Sequence, residues 1–403
     1  MPNNLEQLFT RKRSEPYGLL RQLNLPEDED RSLQSAAREL KTALREGIHE
    51  VNKSGNLPFK LATPLFVIQG SQAYGTLNNV DKPGQSLDID MGMYLPFSNL
   101  GDGEAGRTAT KIYHEIVDRI LEQHIRTHRH GKWRMPTPDK RKPTCARVIL
   151  DSKTHIDIPL YAYPDDGKEH IRSSVAAASL IFNEDSREFI SFGASPDFMA
   201  EAKFLTDNVE PTVIHLAHKD EGWLASDSIA LRNWVLAEFD RLGPVIRPIC
   251  RYIKAWREEV WPSGGGPSSI FLLAQAIQIY PEDTEGMTHC EILKYVVDRL
   301  PQSLDEAVNV PCPTPDNPEA TEDLRARISD ENLLAYRNSF EILKRKFMLA
   351  KVVAKTEAND KLIELFGSRI PNAPDLIVTE GTIDRQGKSI VKPLYATPKS
   401  TSG

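Results

Sequence analysis

A chain of 403 residues is long for a single core, so more than one packed lobe is expected. Hydrophobic residues at 40% and charged residues at 27% exclude a disordered chain; no apolar run nears the roughly 18 residues of a bilayer span, and MPNNLEQLFTRKRSEPYG has no apolar signal core, so a cytoplasmic protein without a membrane partner is expected. The net charge of −7 excludes a whole-surface nucleic-acid binder, which would carry a basic excess, and leaves only local polyanion sites.

From Leu33 to Val51 apolar residues recur at helical spacing behind an acidic lead, Glu27 to Asp30, that suits a helix N-terminus. Pro58 and Pro64 bracket a change of period, and Leu65 to Gln69 (LFVIQ) predicts a short strand running into a tight turn at Gly70-Ser71. Leu87 to Tyr94 alternates, with Leu87, Ile89 and Met91 opposed to Asp88, Asp90 and Gly92, as a half-buried strand requires. Ile112 to Leu121 predicts a helix, and Thr154 to Tyr161 a second alternating strand in which Ile156, Ile158 and Leu160 oppose Asp157 and Pro159. Cys145, Cys250, Cys290 and Cys312 are scattered with no CxxC pair, so neither a zinc ribbon nor a disulfide framework is indicated.

Beyond about residue 215 the periodicity turns helical, over Leu231–Leu242, Ile246–Val260, Ile270–Tyr280, Ile292–Leu300 and Ser329–Leu365. Pro311 to Pro318 is a loop by composition, and after Pro371 the pattern fades into a tail. The expected division is a mixed-sheet catalytic lobe over 1–215, an all-helical lobe over 216–370 closing on a cleft between the two, and a flexible tail over 371–403.

Asp88 and Asp90, two apart on a strand, share a face, and pairing with the Asp157 strand would bring three carboxylates together. Such a cluster is what two-metal phosphoryl transfer needs. A DxD pair alone is more often a solvated strand face. The Gly70-Ser71 turn upstream, where successive amides and a hydroxyl can cradle phosphate, makes the joint signal specific for a polymerase β-type nucleotidyltransferase. Lys254 sits in an apolar helical stretch, where a lysine without an anionic partner is costly unless it snorkels. The basic runs Arg126–Arg134 and Lys140–Lys142, with Trp133, read as a solvated loop rather than a polyanion patch, and His155 as structural, on the face opposite Asp157.

The segments QGSQAYGTLNNVDKPGQSLDIDMGMYLP, CARVILDSKTHIDIPLYAYP, RPICRYIKAWREEVWPSGGGPSSIFLLA and LFGSRIPNAPDLI, in this order, resemble the motifs of the bacterial cGAS/DncV-like nucleotidyltransferases (CD-NTases). The resemblance implies an α/β (α+β) fold, a mixed-sheet lobe with a C-terminal helical lobe, and synthesis of a cyclic di- or trinucleotide from ATP- and GTP-type triphosphates in anti-phage defence (CBASS). It implies that Asp88 and Asp90 bind two magnesium ions, with manganese able to substitute, and that Asp157 completes the site and orients or deprotonates the acceptor hydroxyl. Gln69, Gly70, Ser71, Gln72, Ala73 and Tyr74 would meet the donor triphosphate, with Arg147, Ser226, Lys254, Ser269 and Asp316 as further nucleotide contacts. Base choice does not transfer, because Asn78–Leu87 and the stretch between Pro164 and Asp227 differ freely.

An RNA-tailing transferase would share the metal site, but net acidity and the lack of a basic, aromatic platform disfavour an obligate nucleic-acid partner. A catalytically silent nucleotide-binding module would be expected to have lost a carboxylate. Members whose C-terminal residue is joined to targets by a ubiquitin-transfer-like enzyme end like this chain, so TPKSTSG suggests Gly403 as a conjugation point, against the plain reading of a frayed end.

Overall fold

The computed structural model describes residues 2–54, 61–97, 103–128, 131–164, 214–226, 228–314 and 317–379. In chain order its strands are β1 Asn3–Asn4, β2 Leu65–Gln69, β3 Leu87–Phe97, β4 Cys145–Ile149, β5 Thr154–Pro164, β6 His215–His218, β7 Gly222–Ala225, β8 Asn309–Pro311, β9 Thr321–Asp323 and β10 Val378–Thr379. The chain divides into two compact units: one joins residues 23–274 to 307–328, the other joins 1–22, 275–306 and 329–403.

The first unit is built on a mixed sheet ordered β2-β3-β5-β6-β7, with β4 also on β5. Only β3 and β5 run parallel; the other pairs are antiparallel. Leu87, Ile89, Met91, Ile156 and Ile158 are essentially fully buried, so one face of β3 and β5 is continuous core. The long helix Gly103–His128 docks on the sheet through polar ties as well as apolar ones: Thr110 Oγ1 donates to the His218 carbonyl at 2.9 Å, and His114 Nε2 meets the Ala217 carbonyl at 3.0 Å. The helix Glu27–Ser54 packs along it and includes the whole acidic lead in its first turn, where carboxylates oppose the helix dipole.

Strands β6 and β7 lie where helical periodicity was expected to begin at about residue 215, and they extend the sheet instead. Four-residue strands carry too few alternations to register as a period, and the hairpin is closed by Gly222 at φ 88°. The same brevity hid β4 and the β8–β9 pair, which brackets the proline-rich loop. Helix Ile246–Val260 buries Ile249, Tyr252, Ile253 and Trp256 along one side, and Trp256 meets Trp261 edge-on with ring centroids 5.6 Å apart.

In the second unit Phe9 is fully buried and meets Phe347 and Phe366 edge-on, at centroid distances of 6.1 and 5.5 Å. The single stretch expected over Ser329–Leu365 is two helices, Asp330–Ala350 and Lys355–Phe366, packed on one another. Asn3 Nδ2 donates to the carbonyls of Ala350 and Val353, satisfying the end of the first helix. The tail expected from residue 371 is structured as far as Thr379, because β10 pairs with β1. Gly403 lies outside the described residues. No described helix is long and apolar enough to cross a membrane.

Burial pushes the His114 imidazole down to about 4, because a charge on the buried ring would be desolvated, and among the described residues its Nδ1 has no hydrogen-bond partner. Folded His114 therefore stays neutral while the unfolded chain takes up a proton below about pH 6.5. Stability carried by this group is complete above pH 6.5 and falls as pH drops toward 4, by up to about 3 kcal/mol. Denaturant midpoints at pH 7.5 and 5 should diverge more for the wild type than for His114→Gln; equal slopes would show that His114 does not carry the effect.

Candidate active site

In the parallel pair, Asp90 lies opposite Asp157 and Asp88 opposite His155. On the flanking strands Gln69 lies opposite Asp90, and Arg147 opposite Asp157. Residues in register share a face, so all six side chains project to the same side of the sheet. Further along that face, Leu65, Val67, Tyr94, Tyr161 and Tyr163 join Ile214 and Ile229 in a buried apolar cluster. The acidic patch begins where this apolar cover ends.

The three carboxylates live in different fields. Burial and then the charges of Asp157 and Asp88 push Asp90 up to about 6. Burial would also raise Asp157, but Arg147 and Lys142 outweigh it and hold the carboxyl below its ordinary range. Arg147 grips both oxygens, Nε to Oδ1 at 2.5 Å and Nη2 to Oδ2 at 2.7 Å, and Lys142 Nζ meets Oδ2 at 2.9 Å. For Asp88 burial again acts upward, but His155 and Ser86 hold the carboxyl low. Ser86 Oγ donates to Asp88 Oδ1 at 2.9 Å, and His155 Nε2 lies 2.5 Å from the same oxygen but off the hydrogen-bond axis.

The turn after β2 is tied to these acids by sterics. Gly70 has φ 62°, and a Cβ on it would stand 2.5 Å from Asp90 Oδ2, so only glycine lets the backbone pass the carboxylate. A side chain at Gly92 would collide with the Gln69 amide. That amide donates to the Tyr94 hydroxyl at 2.5 Å and Ser228 Oγ at 3.0 Å, and accepts from the Tyr161 hydroxyl at 3.3 Å. Gln69 thus holds the turn in place through a closed polar network. Next in the chain, Ser71 Oγ accepts from Lys254 Nζ at 3.0 Å. Burial pushes the Lys254 ammonium down to about 8.

These groups open on a cavity of about 760 Å³, lined entirely by residues of the 23–274 and 307–328 unit. Gln69, Gly70, Ser71, Tyr74, Asp88, Asp90, Ser226, Lys254 and Ser269 line it. Gln72 and Ala73 are buried beneath the turn and do not, and Asp157 and Arg147 stand beside it on the sheet. Asp316 lies outside the described residues. The expectation that His155 faces away from Asp157 is wrong: a residue two before Asp157 on a strand must share its face, and His155 lies beside Asp88. Nor are Lys140–Lys142 simply solvated, since Arg141 Nη1 pairs with Asp118 at 3.0 Å and Lys142 reaches Asp157.

Arg257 was not anticipated. Its Nη1 and Nη2 donate to the Pro267 carbonyl and Ser269 Oγ at 3.2 and 3.3 Å, fastening the glycine-rich loop beside the cavity. Its position three residues after Lys254 on a helix was a readable signal.

Asp88 and Asp90 are hard oxygen donors suited to a divalent cation, and both line the cavity. Among the described residues no three such side chains close into a metal-ligating cluster, because Asp157 is turned onto Arg147 and Lys142.

A protein-family model described as the cyclic GMP-AMP synthase DncV-like nucleotidyltransferase domain matches residues 64–161, and one described as the cyclic GMP-AMP synthase C-terminal domain matches 243–380. A cyclic GMP-AMP synthase of Vibrio cholerae is 27% identical over 371 residues, covering 88% of this chain and 79% of that protein. One from Escherichia coli is 28% identical over 339 residues, covering 82% and 73%. The crystal structure of the Vibrio cholerae DncV cyclic AMP-GMP synthase with the linear intermediate 5′ pppA(3′,5′)pG superposes with a TM-score of 0.70 at 25% identity, covering 94% of this chain and 99% of that one.

Carboxyl-carbon NMR should find Asp90 titrating near pH 6, well above Asp88 and Asp157. Asp157→Asn removes one repelling charge and should move the Asp90 midpoint down. An Asp90 that titrates in the ordinary range, or ignores the substitution, would refute the coupled pair.

Proposed function

Because the chain belongs to the cGAS/DncV-like nucleotidyltransferases, we propose that it joins ATP- and GTP-type triphosphates into a cyclic di- or trinucleotide. The observation that carries this reading is the placement of Asp88 and Asp90 on one strand face, directly under the Gly70-Ser71 turn and across the cavity wall from Lys254. The names of the relatives favour a GMP-AMP product.

Asp88 and Asp90 would hold two magnesium ions, which when bound neutralise the triphosphate and lower the pKa of an attacking hydroxyl. The chain's own groups do the positioning. Amides of the Gly70 turn and the Ser71 hydroxyl would bind phosphate oxygens, with Lys254 adding a positive charge through the same hydroxyl. Asp157, ionised and clamped by Arg147, is a weak base, which favours orienting the acceptor hydroxyl over taking its proton. Tyr74, Ser226 and Ser269 would contact the nucleotides from the wall. We place the product in CBASS anti-phage signalling on the family resemblance alone.

The test is direct: protein incubated with all four triphosphates and magnesium should release a cyclic product identifiable by mass spectrometry without added RNA. Asp88→Asn should abolish it and leave the melting temperature near wild type, since shape is kept and one ligand charge is lost. Turnover by that variant at the wild-type rate, or a product formed only on an RNA acceptor, would overturn the reading.

The pH dependence follows from Lys254. It is charged below about pH 8 and neutral above, so affinity for ATP should weaken as pH rises from 7 through 9. Lys254→Met should bind more weakly at pH 7 and lose that alkaline limb. A limb that survives the substitution belongs to another group.

A further inference from the structure

Arg257 stands three residues after Lys254 on the helix Ile246–Val260, so the two lie about 60° apart around the axis and about 4.5 Å apart along it. Both line the cavity, and each donates to a serine that also lines it: Lys254 Nζ to Ser71 Oγ at 3.0 Å and Arg257 Nη2 to Ser269 Oγ at 3.3 Å. A hydroxyl has one proton and two lone pairs, whereas ammonium and guanidinium groups only donate. The serine protons must therefore turn away from these cations, and among the described residues neither finds an acceptor. The surrounding field favours a negative one. Burial first, and the charges of Arg257 and Arg251 after it, push Lys254 down to about 8 against the pull of Glu258. Ser269 also opens the helix Ser269–Gln278, whose first amides carry the positive end of the helix dipole. Ser268 Oγ accepts from the Phe271 amide at 3.3 Å and so caps that helix, which leaves Ser269 to the cavity.

On the nucleotidyltransferase reading of this cavity, on which the inference rests, we propose that Arg257 is a positioning residue for the triphosphate: it holds Ser269 so that the hydroxyl proton points at a phosphate oxygen. The loop before Ser269 cannot fix that hydroxyl unaided, because Gly264 and Gly265 sit at φ 88° and 92° and a third glycine follows. Arg257 supplies the missing hold with two donors of one rigid fork, Nη1 on the Pro267 carbonyl at 3.2 Å and Nη2 on Ser269. One bond fixes the backbone just before the serine, and the other occupies the lone pair that would otherwise let the hydroxyl rotate. A lysine here would keep the charge and lose the fork, so it could hold one of these acceptors but not set the angle between them.

Calorimetric titration of the full chain with ATP and magnesium tests this without requiring turnover. Ser269→Ala should raise the dissociation constant about tenfold or more, the usual effect of losing a hydrogen bond to a charged acceptor, and Arg257→Met should do the same with a melting temperature near wild type. The double variant should bind no more weakly than the weaker single one, because both changes remove the same oriented hydroxyl. Arg257→Lys should still weaken binding by about threefold or more, since the fork is gone. Additive losses, wild-type affinity in Arg257→Lys, or unchanged affinity in Arg257→Met overturns the proposal. If Arg257→Met does not fold, the cycle of Arg257→Lys with Ser269→Ala decides the same point. A wild type that does not bind ATP overturns the proposal together with the reading beneath it, whereas binding without any cyclic product overturns only that reading.

Discussion

The parallel register of β3 on β5, which sets Asp90 against Asp157, is the constraint on which the rest of the site depends. Two carboxylates this close cannot both be ionised at ordinary cost. The fold answers unequally, giving Asp157 an arginine fork and a lysine while leaving Asp90 with a carboxyl raised to about 6. That asymmetry separates an anchored acid from one that gains by meeting a cation. Arg147 is delivered by its own register, opposite Asp157 on β4.

Close packing around the acids follows from the same register. Gly70 is a glycine because Asp90 occupies the space a side chain would need, and Gly92 is one because the Gln69 amide does. Gln69 in turn is locked by Tyr94, Tyr161 and Ser228, so the Gly70-Ser71 turn is braced by the buried end of the sheet face that bears the acids. Lys254, fed from the helix Ile246–Val260, completes the link through Ser71. The low ammonium pKa there is the cost of placing that charge against a mostly apolar helix. The relatives that match over most of this chain are named cyclic GMP-AMP synthases.

Much of this was legible in the chain itself. Alternation by two set the faces of Leu87–Tyr94 and Thr154–Tyr161, because a half-buried strand cannot place polar and apolar groups otherwise, and the same rule read consistently would have put His155 beside Asp157. Helical periodicity over Leu33–Val51 and Ile246–Val260 was equally firm, since long amphipathic segments average over many residues. What the sequence left open needed pairing between distant segments. No local pattern tells that β4 lies beside β5, that four-residue strands at His215 and Gly222 extend the sheet, or that Lys142 and Arg147 converge on one carboxylate. Side-chain types and their faces are local properties of the backbone, whereas partners, burial and the pKa of Asp90 come from contacts across the chain, and those the tertiary structure alone decides.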